Sequence, residues 1–291
     1  MPSVCLLSTA TADAANDNPE RLAAAFEDAG WNVVRRDQNA VRSVGGLLTL
    51  SPDDHRLDEF DLIWLLGLGN RHSFLDRMQL LANVQPSRMV NTSTALLELH
   101  AKHALPLTEL ADLHPETYAS CDPAWLRSMV DTGGDWILKP SAGSFGHHVD
   151  QVDPNHPGLD TLLEELTGPH ASNYCILQRY VPEIEVGETR VLVANCEIVG
   201  CYRRLPGPDH RANLSAGAHA VCHTLTTAER RIVQRVTAFL RDRGVRFAAI
   251  DIAGPYVLEY NIANPGGMET IARLTGRNPA NAVVAAFSSL T

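Results

Sequence analysis

The sequence predicts an α/β protein that continues into an α+β protein: a small Rossmann-like lobe followed by two lobes built mainly from antiparallel strands. Over the first hundred residues, short apolar runs alternate with a helical pattern, and this strand-helix-strand order is typical of a parallel sheet with crossover helices. From about Lys102 onward, strand-like runs follow one another between loops rich in Gly, Pro and Asn. A chain of 291 residues usually exceeds one compact unit, so we expect domains at 1–100, 101–180 and 181–291.

The elements of the first lobe follow from apolar runs and from helix-capping residues. Residues 4–7 are typical of a buried strand, and residues 31–34 and 62–66 are further strand candidates. Asn18 and Pro19 indicate the capped start of a helix that Gly30 ends. The apolar positions of this helix are Leu22, Ala23, Phe26 and Ala29.

Gly67 and Gly69 follow the last of these strands and leave open a dinucleotide-binding site, and with it a dehydrogenase built on the first lobe. The phosphate-binding fingerprint of such proteins needs a third glycine, where this chain has His72. The incomplete pattern makes NAD binding the weakest of the functional hypotheses.

The second half of the chain is predicted to be largely antiparallel. Its strand candidates are residues 136–140, 147–152, 174–180, 188–194 and 197–204. Thr226 and Glu229 form a capping box for a helix that Gly244 ends. The apolar face of that helix consists of Ile232, Val233, Val236, Phe239 and Leu240.

Composition excludes several classes of protein. The net charge of -10 argues against a protein that binds nucleic acid by neutralising phosphates. No run of about 18 apolar residues is present, so we expect no membrane span, and the short apolar N-terminal stretch without basic residues does not resemble a signal peptide. Six cysteines without a CxxC pair favour reduced thiols and a cytoplasmic protein. The adjacent histidines His147 and His148 would point to opposite faces of a strand, which disfavours a histidine metal site.

The segment 247–262 carries the strongest chemical pattern. Gly254 and Pro255 indicate a tight turn, and folding the segment there places Asp251 opposite Glu259. Because side chains alternate along a strand, Asp251, Glu259 and Asn261 then share one face. The other face would carry Ile250, Ile252, Leu258, Tyr260 and Ile262. Two carboxylates and an amide on one face suit Mg²⁺, although a solvated polar face of the sheet would show the same pattern.

Cationic side chains elsewhere are candidates for binding phosphate. Lys139 ends a strand and precedes the small-residue loop 141–146, whose backbone N–H groups are suited to phosphate oxygens. Lys102 is a second candidate, and three arginines provide guanidinium groups for a phosphoryl group or a carboxylate. These arginines are Arg190, Arg204 and Arg211. Each of these residues alone is more typical of an ordinary surface charge.

Taken in order, these motifs resemble the ATP-grasp superfamily, and within it the bacterial glutathione synthetases, over residues 90 to 275. The resemblance rests on Ile137-Leu138-Lys139-Pro140, Leu177-Gln178-Arg179-Tyr180-Val181-Pro182, Gly187-Glu188-Thr189-Arg190, Arg211-Ala212-Asn213-Leu214, Asp251-Ile252 and Glu259-Tyr260-Asn261-Ile262-Ala263-Asn264-Pro265-Gly266-Gly267. It implies the ATP-grasp fold: an N-terminal Rossmann-like domain, a small central lid domain and a C-terminal antiparallel-sheet domain.

The resemblance also implies roles for individual residues. ATP is expected to bind Lys102, Lys139, Ser144, Gln178, Arg179, Tyr180, Val181 and Glu188, with Glu188 at the ribose. The catalytic residues are expected to be Arg190, Arg204, Arg211 and Asn213. Asp251, Glu259 and Asn261 are expected to bind Mg²⁺ or Mn²⁺. The substrate is expected to contact Asn264, Gly266, Gly267 and Arg71.

The activity that the resemblance implies is ATP-dependent amide-bond formation between a small carboxylate and an amine, through an acyl phosphate. The substrate is expected to be an amino acid or a small γ-glutamyl peptide, and the protein is expected to form dimers or tetramers without nucleic acid or membrane partners. The chain departs from glutathione synthetases where Leu66 to Asp76 lacks their Asp-Pro-Pro core, and where Asn-Pro-Gly-Gly replaces Ser-Pro-Thr. A silent ATP-binding module, a glutamate ligase or a small-molecule kinase on the same fold therefore remain alternatives.

Overall fold

A computed structural model describes residues 1–9, 16–141, 149–207 and 217–288 of the chain. The elements of the N-terminal part are β1 (Ser3–Ser8), α1 (Asn18–Asp28), β2 (Asn32–Asp37), β3 (Val41–Val44), β4 (Leu47–Leu50), β5 (His55–Arg56), β6 (Leu62–Leu66), α2 (Phe74–Leu81) and α3 (Ser93–Leu99). Strand β1 lies between β2 and β6 and pairs in parallel with both, which confirms the predicted Rossmann-like sheet. The strand candidates 4–7 and 62–66 lie within its strands, and candidate 31–34 begins one residue before β2.

Helix α1 forms where predicted, but Asn18 is not its cap. Asp17 precedes the helix without a capping side-chain bond, and Asn18 is the first helical residue and is buried. Its side-chain amide donates to Asn264 Oδ1 at 2.8 Å and to the carbonyl of Pro265 at 3.0 Å. A remote turn therefore uses the polar group that the sequence pattern assigned to capping.

A second sheet in this part, β3-β4-β5, is antiparallel and was not predicted. Gly45 and Gly46 form the turn between β3 and β4, with φ values of +58° and +85° that favour glycine. A Gly-Gly pair between Val44 and Leu47 is a known hairpin signal, and it identifies this turn.

The central part contains β7 (Thr117–Ser120), α4 (Pro123–Val130), β8 (Trp136–Pro140), β9 (Asp150–Val152), α5 (Leu159–Thr167) and β10 (Cys175–Arg179). Its strands form an antiparallel sheet in the order β7-β10-β8-β9. This sheet and its two helices bury a hydrophobic core of their own, from Leu126 to Leu177. The points at which the chain enters and leaves this central part are neighbours, since the N–H of Arg179 donates to the carbonyl of Glu116 at 2.8 Å. Strands 136–140 and 174–180 are confirmed, while the start of strand 147–152 lies outside the described residues.

The C-terminal part contains β11 (Glu188–Ala194), β12 (Glu197–Leu205), β13 (His219–Cys222), α6 (Thr227–Asp242), β14 (Phe247–Ala253), β15 (Tyr256–Asn261), α7 (Met268–Thr275) and α8 (Pro279–Ser288). Its strands form the antiparallel sheet β13-β12-β11-β14-β15, which confirms the predicted α+β character. Helix α6 begins with the predicted capping box, in which Thr226 accepts from the N–H of Glu229 and Glu229 accepts from the N–H of Thr226.

The N-terminal and C-terminal parts share their hydrophobic core. One core cluster joins Leu7 and Ile63 of the parallel sheet to Val236 of α6 and Ile250 of β14. Asn91 connects the same two parts, since its buried amide donates to the carbonyls of Phe247 (2.8 Å) and Ile262 (2.5 Å). Its Oδ1 accepts from the N–H groups of Arg246 and Phe247 at 2.8 and 2.9 Å. The C-terminal sheet is therefore held directly on the first lobe.

Candidate active site

The β14–β15 hairpin forms as predicted with its turn at Gly254 and Pro255, and Asp251 pairs with Glu259 in its register. Asn261 lies on the same face, where its Nδ2 is 3.2 Å from Glu259 Oε1 and 3.5 Å from Asp251 Oδ2. The register shifts between Asp251 and Ile252, so Val257 pairs with Ile252. Val257 is fully buried in the core, and Leu258 is only half-buried. The prediction that Leu258 lies in the core was therefore wrong, because a β-bulge changes the alternation.

The neighbouring strands add cations and a third carboxylate to the face that carries Asp251. In the ladder, Arg190 of β11 is opposite Asp251, and Glu188 is opposite Arg204 of β12. Residues two apart share a face, so Glu188 and Arg190 both extend over this end of the sheet. The other end of the same face carries Leu192, Ala194, Phe247 and Ala249, which pack in a core cluster with α7 and α8. The face is thus divided into an apolar end beneath helices and a charged end.

The charged end is a buried ion-pair network around Asp251. Arg190 donates from Nε and Nη2 to the two oxygens of Asp251 at 2.8 and 2.6 Å, and Arg204 Nη2 lies 3.0 Å from Oδ2. Arg204 also pairs with Glu188 at 2.8 Å. Asp251 is fully buried, so these guanidinium groups replace the water that would otherwise solvate its charge. Burial raises the pKa of Glu188 to about 7, and Arg204 opposes that shift.

Two lysines reach the same site from outside the C-terminal sheet. Lys102 forms an ion pair with Glu259, and the charges of Lys102 and Lys139 outweigh burial and hold the pKa of Glu259 well below its usual value. Lys139 of β8 donates to Gln178 Oε1 at 3.0 Å. Burial, followed by repulsion from Lys102, lowers the pKa of Lys139 to about 8. The negative charges of Glu259, Glu188 and Asp251 oppose this lowering of the Lys139 pKa.

The turn after β15 packs against the ion-pair network. Arg190 Nη1 donates to the carbonyl of Gly266 at 3.3 Å. Gly267 has a φ of +128°, and a Cβ added there would lie 3.1 Å from the ring of Tyr202, so a side chain at this position would be both strained and crowded. Helix α7 begins directly after it at Met268. Gly266 and Gly267 therefore lie beside Arg190, while Asn264 is held by Asn18.

The remaining predicted site residues do not all lie at this face. Arg71 is exposed on a short turn of the first lobe. Arg179 stacks on the ring of Trp136 at 3.5 Å and pairs with Glu116, and Tyr180 donates to Glu185. Val181 is buried. Ser144, Arg211 and Asn213 lie outside the described residues.

The oxygen donors fit a hard divalent cation. Two carboxylates from adjacent strands and the amide of Asn261 lie together, and carboxylate and amide oxygens are typical Mg²⁺ ligands. Within the described ranges, no group of three or more His, Cys, Asp or Glu side chains is arranged to hold a metal. A cation at this face would therefore have to complete its shell with Asn261 and with oxygens that the protein does not supply. Magnesium bound through one or two carboxylates and substrate phosphates has such a shell.

Three asparagine and histidine residues that the sequence analysis did not assign to the site have structural connections to it. Asn91 donates to Phe247 of β14 and to Ile262 directly after β15. The β14–β15 hairpin, which carries the predicted metal ligands Asp251, Glu259 and Asn261, is called the metal hairpin below. Asn18 holds the turn at Asn264, and His114 contacts Gln178 and the carbonyl of Val257. No local pattern distinguishes them, because their partners lie 64 or more positions away in the chain. Only Asn18 gave a signal, as a predicted helix cap.

Comparison with known proteins identifies the same region. A family model described as "Prokaryotic glutathione synthetase, ATP-grasp domain" matches residues 103–276. A glutathione synthetase of Agrobacterium fabrum is 30% identical over 210 residues, which are 72% of this chain and 65% of that protein. A glutathione synthetase of Escherichia coli K12 is 35% identical over 157 residues, which are 53% of this chain and 49% of that protein. The chain thus matches less than two thirds of the length of these relatives.

Solved structures extend the likeness to the whole fold. A RiPP-associated ATP-grasp ligase of Chryseobacterium gregarium, in complex with ADP and a leader and core peptide, aligns with a TM-score of 0.71 at 15% identity, covering 100% of this chain and 98% of that one. A D-cycloserine synthetase aligns with a TM-score of 0.72 at 14% identity, covering 99% of both chains. These likenesses show the fold. No helix among the described residues has the length and apolar character needed to cross a membrane.

Proposed function

This chain belongs to the family of the prokaryotic glutathione synthetase ATP-grasp domain, and we propose that it is an ATP-dependent ligase that joins a carboxylate to an amine. The observation that carries the proposal is the charged end of the C-terminal sheet. There, Lys102, Lys139, Arg190 and Arg204 outnumber the carboxylates of Glu188, Asp251 and Glu259 by one positive charge. Such a site suits an anionic nucleotide that arrives with a divalent cation.

ATP would bind between the central sheet and the C-terminal sheet. Lys102 and Lys139 would bind its phosphates, and Glu188 would accept from a ribose hydroxyl. The backbone of Gln178 to Val181 would contact adenine, as the family resemblance implies. The side chains of Arg179 and Tyr180 are engaged with Glu116 and Glu185. Ser144 belongs to the proposed phosphate loop.

Asp251, Glu259 and Asn261 would hold Mg²⁺, or Mn²⁺, which would neutralise charge on the transferred phosphoryl group. Lys102 now pairs with Glu259, and a cation at the hairpin would release its ammonium for a phosphate oxygen. The exchange of one positive charge for another at Glu259 keeps this carboxylate compensated throughout.

The reaction proposed here has two steps. A carboxylate oxygen of the substrate attacks the γ-phosphorus, the bond to ADP breaks, and an acyl phosphate forms. The amine nitrogen then attacks the acyl carbon, the bond to phosphate breaks, and the amine loses a proton. Arg190 and Arg204, with Arg211 and Asn213, would bind the phosphoryl oxygens and the developing oxyanion, so catalysis consists of positioning and charge stabilisation.

We propose that the substrates are amino acids or small peptides, including γ-glutamyl peptides. The turn at Asn264, Gly266 and Gly267 would bind one of them through its backbone beside Arg190. Exposed Arg71 would reach a substrate only at the rim of the site. Glutathione synthetases, a D-cycloserine synthetase and a peptide-bound ligase among the similar proteins support an amino-acid or peptide substrate. A cytoplasmic dimer or tetramer remains the expected state, and the six free cysteines agree with a reducing compartment.

The test is an ADP-release screen in which amino acids and short γ-glutamyl peptides are offered singly and in pairs, with products identified by mass spectrometry. A ligase releases ADP only with a productive pair and forms an amide. Arg190→Lys keeps the charge but loses the two-point contact with Asp251, and we expect at least a hundredfold lower rate. Arg127→Lys, on the surface of α4, is the matched control.

The outcomes separate the alternatives. A phosphorylated product without an amide would identify a small-molecule kinase. ATP binding without turnover by any pair would identify a silent nucleotide-binding module, and NAD binding would favour a dehydrogenase.

A further inference from the structure

A buried chain of hydrogen bonds connects the proposed phosphate-binding lysine to the metal hairpin through His114. We infer that His114 is a positioning residue, which fixes the amide of Gln178 and thereby aims Lys139 at the nucleotide. This inference rests on the proposed function. His114 is buried, precedes β7, and touches both the central sheet and the C-terminal sheet.

The hydrogen bond to Val257 determines the protonation state of the His114 ring. Its Nδ1 lies 2.7 Å from the carbonyl oxygen of Val257, which can only accept a hydrogen bond, so Nδ1 carries the proton. Burial lowers the pKa of His114 to about 4, so at neutral pH the ring carries a single N–H group. Its Nε2 therefore presents a lone pair and must accept.

His114 and Thr117 determine the orientation of the Gln178 amide. Its nitrogen lies 3.0 Å from His114 Nε2 and 3.3 Å from Thr117 Oγ1. Thr117 donates its own hydroxyl proton to the carbonyl of Pro115, so its oxygen accepts from Gln178. Both N–H groups of the amide are thus used, and a flipped amide would place oxygen against the lone pair of His114.

The oriented amide of Gln178 in turn fixes the position of the Lys139 ammonium. With the amide nitrogen held by His114 and Thr117, Gln178 Oε1 must face the ammonium of Lys139, which donates to it at 3.0 Å. A buried ammonium without a fixed acceptor would lose its proton or change its rotamer more readily. The ring of His114 therefore determines, through one amide, where the charge of Lys139 lies.

The other end of the chain ties this arrangement to the metal hairpin. Strand β15 is at the edge of the described C-terminal sheet, so its outward carbonyls need partners from elsewhere in the molecule. The Val257 carbonyl that His114 binds is two residues before Glu259. One side chain therefore connects the strand with the proposed metal ligand to the lysine of the central sheet.

Substitutions at His114 separate its two contacts. Asn places its amide near the position of Nδ1 and keeps only the bond to Val257, whereas Gln places its amide near Nε2 and keeps an acceptor for Gln178. Phe keeps the ring shape and loses both. We expect His114→Phe and His114→Asn to weaken ATP binding at least about tenfold, and His114→Gln to stay within about threefold of wild type.

The experiment measures the ATP dissociation constant by calorimetry on the full chain, then KM for ATP and kcat with a productive substrate pair. His55→Phe, in the separate β3-β4-β5 sheet, is the control. His114→Phe and His114→Asn should change KM for ATP more than kcat, because Lys139 remains present, and His114→Gln should leave both near wild type. In the double variant His114→Phe/Gln178→Leu, the loss should be close to that of Gln178→Leu alone, since both side chains act through one chain of contacts.

A second readout does not depend on nucleotide. The ¹⁵N shifts of the His114 ring should report a neutral Nδ1–H tautomer, and an Nε2–H tautomer would overturn the inference. Wild-type ATP affinity in His114→Phe would also overturn it and leave the proposed ligation standing. A wild-type chain that binds ATP but forms no amide would remove the ligation and leave the role of His114 intact, whereas a wild-type chain that binds no ATP would remove both.

Discussion

Replacing Asp251 with asparagine tests the buried ion-pair network most directly. Asp251→Asn keeps the shape of the side chain but removes its charge, while Arg190 and Arg204 remain within 2.6 to 3.0 Å of it. The four charges of Arg190, Arg204, Glu188 and Asp251 sum to zero, so the variant leaves one uncompensated positive charge in a buried site. We expect this variant to be less stable and to lose metal-dependent nucleotide binding.

The size of the effect follows from the burial of the network. Asp251 is fully buried, and the side chain of Arg204 is 6% exposed. Breaking a buried pair by removing one partner costs about 3–5 kcal/mol, against a total stability of roughly 5–15 kcal/mol for a typical domain. The double variant Asp251→Leu/Arg190→Met restores neutrality with apolar groups, and we expect it to recover at least about half of the loss.

Urea unfolding followed by circular dichroism measures these differences in the free energy of unfolding. ATP with Mg²⁺ should raise the stability of the wild type by about 2.7 kcal/mol at a hundredfold excess over its dissociation constant. It should not change the stability of the double variant, which lacks a proposed metal ligand. Asp58→Asn, in an exposed pair with Arg56, is the control and should leave the unfolding midpoint unchanged. A loss below about 1 kcal/mol in Asp251→Asn would refute the reasoning.

Three further predictions concern Lys139, His114 and Asn91. As pH rises through about 8, Lys139 loses its proton, so kcat/KM for ATP should fall. Lys139→Arg should remove that fall, because arginine stays charged. A pH-rate profile with the same fall in both proteins would contradict this assignment. The pKa of His114 is about 4 in the folded protein and 6.5 in the unfolded chain. Its contribution to stability is therefore present above pH 6.5 and is lost as pH falls toward 4, by about 3 kcal/mol at most. Denaturant titrations should show that His114→Phe lacks this pH-dependent contribution, and equal acid sensitivity of the two proteins would count against it. Asn91→Ala leaves buried backbone groups at the start of β14 unpaired and should lower the free energy of unfolding by about 3 kcal/mol. An unchanged urea midpoint would show that the contact between the N-terminal and C-terminal parts does not depend on this amide.

The sequence predicts the elements whose signals are local. Gly254 and Pro255 locate the turn and predict that the flanking strands pair, but turn length alone does not determine the register. A regular two-residue turn would place Asp251 opposite Leu258, and the β-bulge places it opposite Glu259. The capping box at Thr226 is decided within four residues. Strand alternation failed at Leu258, because a β-bulge is set by the partner strand and leaves no local pattern.

The candidate site was less predictable than the hairpin. Nothing near Gln178 in the sequence indicates that its amide is held by His114, and the ion pairs of Asp251 with two arginines depend on the order of strands in the sheet. The resemblance to a family supplied these residues as a group, but it gave neither their mutual contacts nor their burial. The site roles, the domain boundaries and the oligomeric state stay predictions, and Ser144, Arg211 and Asn213 lie outside the described residues.

The hydrogen bond between Glu116 and Arg179 has a consequence for how the chain could be rearranged. The segment between them begins and ends at one point and carries its own apolar interior, so it has the properties of an insertion module. Replacing this segment with a short glycine linker that joins Glu116 to Tyr180 would not stretch the chain on either side. We expect such a shortened chain to remain folded, since the other two parts enclose a common interior, and we expect the excised segment to be exchangeable among relatives as a cassette.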